Sequence, residues 1–386
     1  MNINSEEIMF KIKLTLVLIV IAFMGYGQNS FIIENVKVFD GEAVFESTSV
    51  KVENGVIIEI ADVIKAYGET AIIDGKEKTL MPALSNAHVH AWLPKSLSEA
   101  AKAGVLNVMD MHGMEPYQGM MRQLKDSTNF ARFYVAGYAA TAADGHGTQY
   151  GFPVPTLMGA EDAKKFIEDR VEANADYIKI IVTPSKATLD SETVAELIKE
   201  AHNVGKIAVV HVSRLEDAID VISNDADGLV HLWRDVALKS SQLGGLSKLK
   251  TFFVIPTLLT TLKAFEVIGA DADKYLNKEE LLQEVKKLYE AGIPILAGTD
   301  PPNLGINHGT DLYKELELLG ESGMPTIEVL KAGTSNITTA FGLENTGFIK
   351  VGYIADLILI DGDPTEDIKN IGNINTVWKK GKQVKL

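Results

Sequence analysis

Two histidines one residue apart, His88 and His90, close the apolar run MPALSNAHVH. On a strand, side chains two apart leave the same face, so this pair offers two imidazoles to one point. Comparable places are held by His211 in IAVVHVS, His231 in GLVHLW and Asp300 in PILAGTD. Lys179 lies inside YIKIIV, where an unpaired charge is rare. Singly, each has a plain structural explanation: a surface pair, a hydrogen-bonded core histidine, a helix cap, a lysine reaching the rim. Together, neutral imidazoles and one carboxylate suit Zn²⁺ or a similar divalent ion. A lysine between two such ions has a depressed pKa. Its neutral amine can take up CO₂ as a carbamate, a bidentate anion able to bridge two metals.

Such residues need a scaffold that gathers the ends of separate strands. Eight short apolar runs supply it, at 83–90, 105–111, 132–140, 177–182, 207–212, 228–232, 252–256 and 294–299. Helix-like segments fall between them, among them 161–174, 191–204, 214–223 and 278–291. Ser191 with Glu192 and Glu196, and Thr326 with Glu328, read as helix starts. Eight βα units in roughly 255 residues predict an α/β protein with a TIM-like (β/α)8 barrel, its active mouth at the strands' C-terminal ends. An open doubly wound sheet competes, but no glycine-rich phosphate loop follows any of the runs. Both flanks alternate apolar and polar residues, with Asn54-Gly55 and Asp74-Gly75 placed as hairpin turns. They predict one small β-sandwich from both chain ends, residues 28–82 and 345–386, around a barrel at 83–344.

The chain has 386 residues, 46% hydrophobic and 23% charged, an ordinary globular balance. Its net charge of -15 argues against nucleic acid and anionic membrane surfaces as partners. With no cysteine, disulfides, thiolate metal sites and a Cys nucleophile are excluded. Near the N-terminus, Lys11 and Lys13 precede the uncharged run from Leu14 to Met24, and Gly25-Tyr26-Gly27 then offers small residues for a cut. That layout predicts a signal peptide over residues 1–27 and an exported protein, periplasmic or secreted, with no stable membrane anchor after cleavage.

The chain resembles the amidohydrolase superfamily, from MPALSNAHVH to the ending GFIKVGYIADLILIDGDP. GVLNVMD is similar to that family's second strand, and AGTSNITTAFGL to its last barrel helix. Within the superfamily it resembles the imidazolonepropionase-like group that includes zinc Xaa-Pro dipeptidases, with DGHGTQYG similar to that group's G-H-G loop. The resemblance implies that His88, His90 and Asp300 bind a buried metal and that His211 and His231 bind an exposed one. It further implies that Lys179, as carboxylysine, bridges the two ions, most simply Zn²⁺, together with a hydroxide. The family usually has Gly at position 83 and Asp at position 86, where this chain has Ala83 and Asn86.

The expected reaction is hydrolysis of an amide bond in dipeptides or N-acyl amino acids through a metal-bridging hydroxide. Asp300 would act as general base and then acid. His146, Tyr138 and Arg234 are candidate substrate contacts, Arg214 a weaker one, and His112 and His308 lie outside the ligand pattern. Two alternatives stay open. The same site could hydrolyse a cyclic amide, a lactone or a phosphoester, or the chain could be an exported binding protein with a vestigial metal site. The partner is a small molecule or short peptide, and self-association into a homo-oligomer stays open.

Overall fold

The structure is a computed structural model that describes residues 30–68, 70–246, 248 and 252–386. The predicted signal peptide at 1–27 lies outside the described residues. Five strands open the chain: β1 (Ser30–Phe39), β2 (Val44–Glu53), β3 (Val56–Ala61), β4 (Ala71–Asp74) and β5 (Lys78–Pro82). Seven follow in the middle: β6 (Leu84–Val89), β7 (Val105–Asp110), β8 (Arg132–Val135), β9 (Ile178–Ile181), β10 (Ala208–His211), β11 (Gly228–Val230) and β12 (Phe253–Ile255). Three close it: β13 (Leu357–Asp361), β14 (Ile374–Lys379) and β15 (Lys382–Gln383).

The terminal strands share one hydrogen-bonded sheet, ordered β15-β14-β13-β5-β1-β2-β3, with β4 beside β1. It is one sheet rather than two facing ones, and it curls on itself. Phe31 of β1 stacks on Trp378 of β14 at 5.3 Å although two strands separate them in the order. The two-residue turn Asn54-Gly55 joins β2 to β3 with both residues at positive φ, 51° and 82°, as a tight antiparallel hairpin requires. Its tip meets the tip between β14 and β15, so closely that a Cβ on Gly55 would lie 2.7 Å from the Lys380 carbonyl. The curl encloses a core that includes Val36, Val38, Leu357 and Trp378. Asp74-Gly75 is not a hairpin. β4 and β5 both run parallel to β1, so the chain keeps its direction there. Gly75 is needed for close approach, since a Cβ would fall 2.4 Å from Val36.

The middle of the chain is a TIM-like α/β domain. Parallel strands β6-β7-β8 form one sheet and β9-β10-β11-β12 another. Their residues are buried almost throughout, as parallel strands covered by helices must be. The gap between β8 and β9 is spanned by a parallel bridge from Ala140 to Ile180. The eighth apolar run, 294–299, is not a regular strand. Pro294 has no N–H, and the Ala297 N–H goes to the Ala332 carbonyl instead of a neighbouring strand. The run still bridges Val254 through Ile295, and the Ala87 N–H donates to the Ala297 carbonyl at 2.9 Å.

Helices follow the predicted segments closely, at Ala163–Glu172, Ser191–Asn203, Leu215–Ser223 and Lys278–Glu290. The cap of Ser191–Asn203 is Asp190, not Ser191: its carboxylate accepts the Thr193 N–H at 2.8 Å. Thr326–Ala332 begins where expected but has no side-chain cap. Among the described residues no helix is long and apolar enough to cross a membrane.

Two buried contacts join the domain to the terminal sheet. Arg132 on β8 pairs with Asp356 just before β13. Lys379 at the end of β14 donates to the carbonyls of Lys125, Ser127 and Phe130 at 2.6, 2.8 and 2.5 Å.

Candidate metal centre

A cavity of about 450 Å³ opens where the middle strands end, and His88, His90, Lys179, His211, His231 and Asp300 all line it. The inward alternation of β6 carries His88 to the cavity, and His90 follows just past its end. β9 carries Lys179, β10 ends on His211, and His231 follows β11 directly. Asp300 closes the irregular eighth run.

Asp300 is the hub. Its Oδ1 lies 3.2 Å from His88 Nε2 and 3.1 Å from His90 Nε2, and it accepts the Asn303 side-chain N–H at 2.8 Å. His88, His231 and Asp300 place donor atoms within 4.8 Å of one another. The His231 ring is 4.9 Å from His88 and 4.4 Å from His211.

Two of the imidazoles are held from behind. His90 Nδ1–H donates to the His112 carbonyl at 3.2 Å. His231 Nδ1–H donates to Thr257 Oγ1 at 2.6 Å, whose own hydrogen goes to the Pro256 carbonyl. Each ring therefore turns Nε2 to the cavity, the orientation that metal-ligating histidines commonly owe to such a partner. The backbone bends sharply to allow this. His231, Thr257 and Asp300 have φ of 66°, 48° and 56°, a region non-glycine residues seldom occupy and β-branched ones least of all.

Among the described residues, two buried polar atoms at the site have no hydrogen-bond partner, Lys179 Nζ and His88 Nδ1. Burial pushes the Lys179 amine down to about 7, with the Asp300 charge opposing. Burial likewise pushes His88 down to about 4 and holds His211 and His231 well below the usual imidazole range, so these rings present neutral nitrogens. Burial disfavours the charged forms of Asp300 and His90 too, yet their contact overcomes it. Asp300 is held well below the usual carboxylate range by His88 and His90, and the Asp300 hydrogen bond lifts His90 above its usual value. A buried carboxylate with neutral His88, His211 and His231 around it, and an unpartnered amine whose charge burial disfavours in the same cavity, fits a divalent cation and a carbamate well.

The candidate substrate contacts divide. His146 lines the cavity with its ring 5.0 Å from His211. Arg234 lines it too, its guanidinium 5.3 Å from the Tyr275 ring centroid. Beside it, Thr183 Oγ1 is bonded to Ser213 Oγ at 3.0 Å and to Ser185 Oγ at 3.3 Å, and all three hydroxyls line the cavity. Tyr138 is not on the cavity wall. Gly137, at φ 74°, turns the chain there, and the Tyr138 ring packs against Phe152 and under the Arg170 guanidinium. Arg214 is taken up by Asp217, at 3.0 and 2.8 Å. His308 Nε2–H donates to the His90 carbonyl at 3.2 Å, so it supports a ligand segment rather than joining the cluster.

The sequence marks Asn86 only as a departure from the family pattern and does not single out Thr257, Tyr150 or Asn303. Asn86 accepts the His88 and Thr299 N–H groups and donates to Thr299 Oγ1, stitching β6 to the eighth run. Its signal was available: it precedes His88 by two on the same strand face. Thr257 acts on His231, 26 residues back, and Asn303 on Asp300 within one loop, and nothing in their local sequence marks them.

The amidohydrolase family model matches residues 79–384. Ochratoxinase from Aspergillus niger is 23% identical, with 84% of this chain and 79% of that protein aligned. 5'-Deoxyadenosine deaminase from Methanosarcina acetivorans is 24% identical over 81% of this chain and 79% of its own length. Among solved structures, a Xaa-Pro dipeptidase with bound methionine has a TM-score of 0.80 at 22% identity, covering 92% of this chain and 100% of that one. The match across most of the chain, on a TIM-like fold with these residues at its strand ends, places this protein in the amidohydrolase family, whose members are hydrolases acting on carbon–nitrogen bonds.

Proposed function

We propose that this chain is a metal-dependent hydrolase cleaving an amide bond of dipeptides or N-acyl amino acids, in a closed (β/α)8 barrel spanning residues 83–344. The observation that carries this reading is the convergence of His88 and His90 on one Asp300 oxygen, with an unpartnered Lys179 Nζ in the same cavity. His88, His90 and Asp300 would hold one divalent ion, His211 and His231 a second, and carboxylated Lys179 would join them. Such ions, when bound, supply a water activated to hydroxide near neutral pH and polarise the acyl carbon.

The chain's own groups do the rest. Asp300, ionised at neutral pH, accepts the proton of the attacking water and returns one to the departing nitrogen. Neutral His146 is placed to donate a hydrogen bond to the substrate carbonyl. Arg234 supports a substrate with a free carboxylate. Among the described residues its charge meets the Tyr275 ring and no carboxylate, in a cavity with the Thr183, Ser185 and Ser213 hydroxyls. Relatives named as deaminases hold open the neighbouring reading, release of ammonia from a nucleoside amine.

The experiment is a screen of the zinc-loaded protein against dipeptides, N-acyl amino acids, their carboxyl-amidated forms, lactones and adenosine-type nucleosides. The proposal expects turnover of the first two and a large loss on amidation. Turnover of nucleosides alone, or metal binding without turnover of any of these, overturns it. The export reading is carried by residues 11–27, and a mature protein beginning near residue 28 outside the cytoplasm tests it.

A further inference from the structure

His112 has no nitrogen to spare for a ligand, yet it touches three parts of the site. Its Nδ1 accepts the Ala139 N–H at 2.9 Å, and its Nε2–H donates to the Gly147 carbonyl at 3.1 Å. Its backbone carbonyl accepts the His90 Nδ1–H, and its backbone N–H donates to Asp110 Oδ1 at 3.2 Å. The ring is thus fixed in one tautomer, acceptor at Nδ1 and donor at Nε2. Ala139 and Gly147 bracket a turn that also closes internally. Thr141 Oγ1 donates to the His146 carbonyl at 2.8 Å, and the Gly145 N–H to the Ala142 carbonyl at 3.0 Å. Gly147 sits at φ 103°, and a Cβ there would lie 3.1 Å from Ile181. The turn and its continuation carry His146 to His211 and the Tyr150 ring to 6.2 Å from His90.

We infer that His112 is a positioning residue: its imidazole pins both ends of the 139–147 turn and so sets where His146 and Tyr150 stand over the cavity. The pin is specific in chemistry as well as shape. A packed aromatic ring could fill the space, but only a group that both accepts and donates ties Ala139 to Gly147. The inference meets the proposed reaction only in that His146 faces substrate.

Three variants separate the arms. His112→Gln keeps a donor toward Gly147, His112→Asn keeps an acceptor toward Ala139, and His112→Phe keeps a ring with neither bond. All retain the backbone carbonyl that holds His90. Zinc affinity in competition with a chelator should therefore equal wild type in all three. Amide hydrogen exchange over 141–150 should speed about 10-fold or more in the Phe variant, the worth of two ordinary hydrogen bonds, and less in the Gln and Asn variants. With a substrate from the screen, KM should rise in the same order while kcat changes less. Wild-type exchange in a folded Phe variant overturns the pin. So does a loss equal in all three variants that only follows their melting temperatures. The exchange measurement needs no substrate, so failure of the proposed reaction and failure of the pin are distinguishable.

Discussion

Among the described residues two lysines are buried, and they are buried differently. Lys179, at the centre of the TIM-like domain, and Lys379, where the terminal sheet meets that domain, are 3% and 1% exposed. Burial pushes both amines down to about 7. Lys379 nevertheless donates to three carbonyls, whereas Lys179 Nζ has no hydrogen-bond partner among the described residues. A buried amine whose hydrogens find acceptors is a construction element, and one without acceptors is a standing cost that stability alone would remove. The same contrast extends outward. Arg132 at the seam is closed by Asp356, while Arg234 at the cavity faces an aromatic ring and open space. Charges at the cavity should therefore be worth rate, and charges at the seam should be worth stability.

Lys179→Ala is the severest test of that division. Activity should fall by orders of magnitude with loss of metal, while the metal-free protein melts no lower than wild type. A variant that keeps two metals and near-normal rates breaks the comparison at its centre. Asp300→Asn comes next. Asn keeps a coordinating oxygen but takes up no proton at neutral pH, so kcat should fall about 10²- to 10⁴-fold with much of the metal retained. Metal content beside kcat decides it, and full metal with a wild-type rate removes Asp300 from proton transfer.

Arg234→Met should raise KM for carboxylate-bearing substrates about 10- to 100-fold, the worth of a charge-assisted hydrogen bond, and leave amidated analogues unaffected. Equal losses on both substrate types would refute the anion-binding role. The smallest effect on rate belongs to Lys379→Met. It strips three carbonyls of their donor and should cost about 2 kcal/mol, a few degrees of melting temperature, at unchanged kcat/KM. Its pH behaviour sharpens the case. The folded pKa lies below the unfolded one, so between about 7 and 10.5 only the unfolded chain holds that proton. Unfolding free energy from this group rises with pH across that window. Urea melts of wild type should show that increment and Lys379→Met should lack it.

The cluster of chemistry-bearing residues was legible because histidine, aspartate and lysine interrupt apolar runs at strand ends, where a parallel sheet leaves only one direction to face. Seven of the eight runs became strands for the same reason. The eighth did not, because Pro294 and the diversion of the Ala297 N–H break its ladder, a matter of partners far along the chain. Tyr138 was misread since Gly137 turns the backbone ahead of it, and the direction of that turn is set by contacts with Glu115 rather than by local sequence. Asp74-Gly75 looked like a hairpin because turn residues are local while the choice of partner is not. The parallel pairing of β4 and β5 with β1 overrides the dipeptide. Thr257 and His112 were opaque for a related reason. Their roles consist of bonds to residues on other loops, which spacing does not encode.

The seam has a consequence for the order of synthesis. Arg132 receives Asp356 only when a residue 224 positions further on has been made, and β5 receives its partner β13 only when residues about 280 positions further on have been made. Lys379 reaches the carbonyls near residue 127 later still. While the chain is emerging, the middle strands can pair with one another, but the edge of β5 stays open and the Arg132 charge stays unmatched. The last strands thus act as a closing clasp on a region translated long before. A chain cut short after residue 350 would keep all six metal-site residues and yet leave a bare strand edge and an unpaired cation at the foot of its domain, the kind of surface on which nascent chains aggregate.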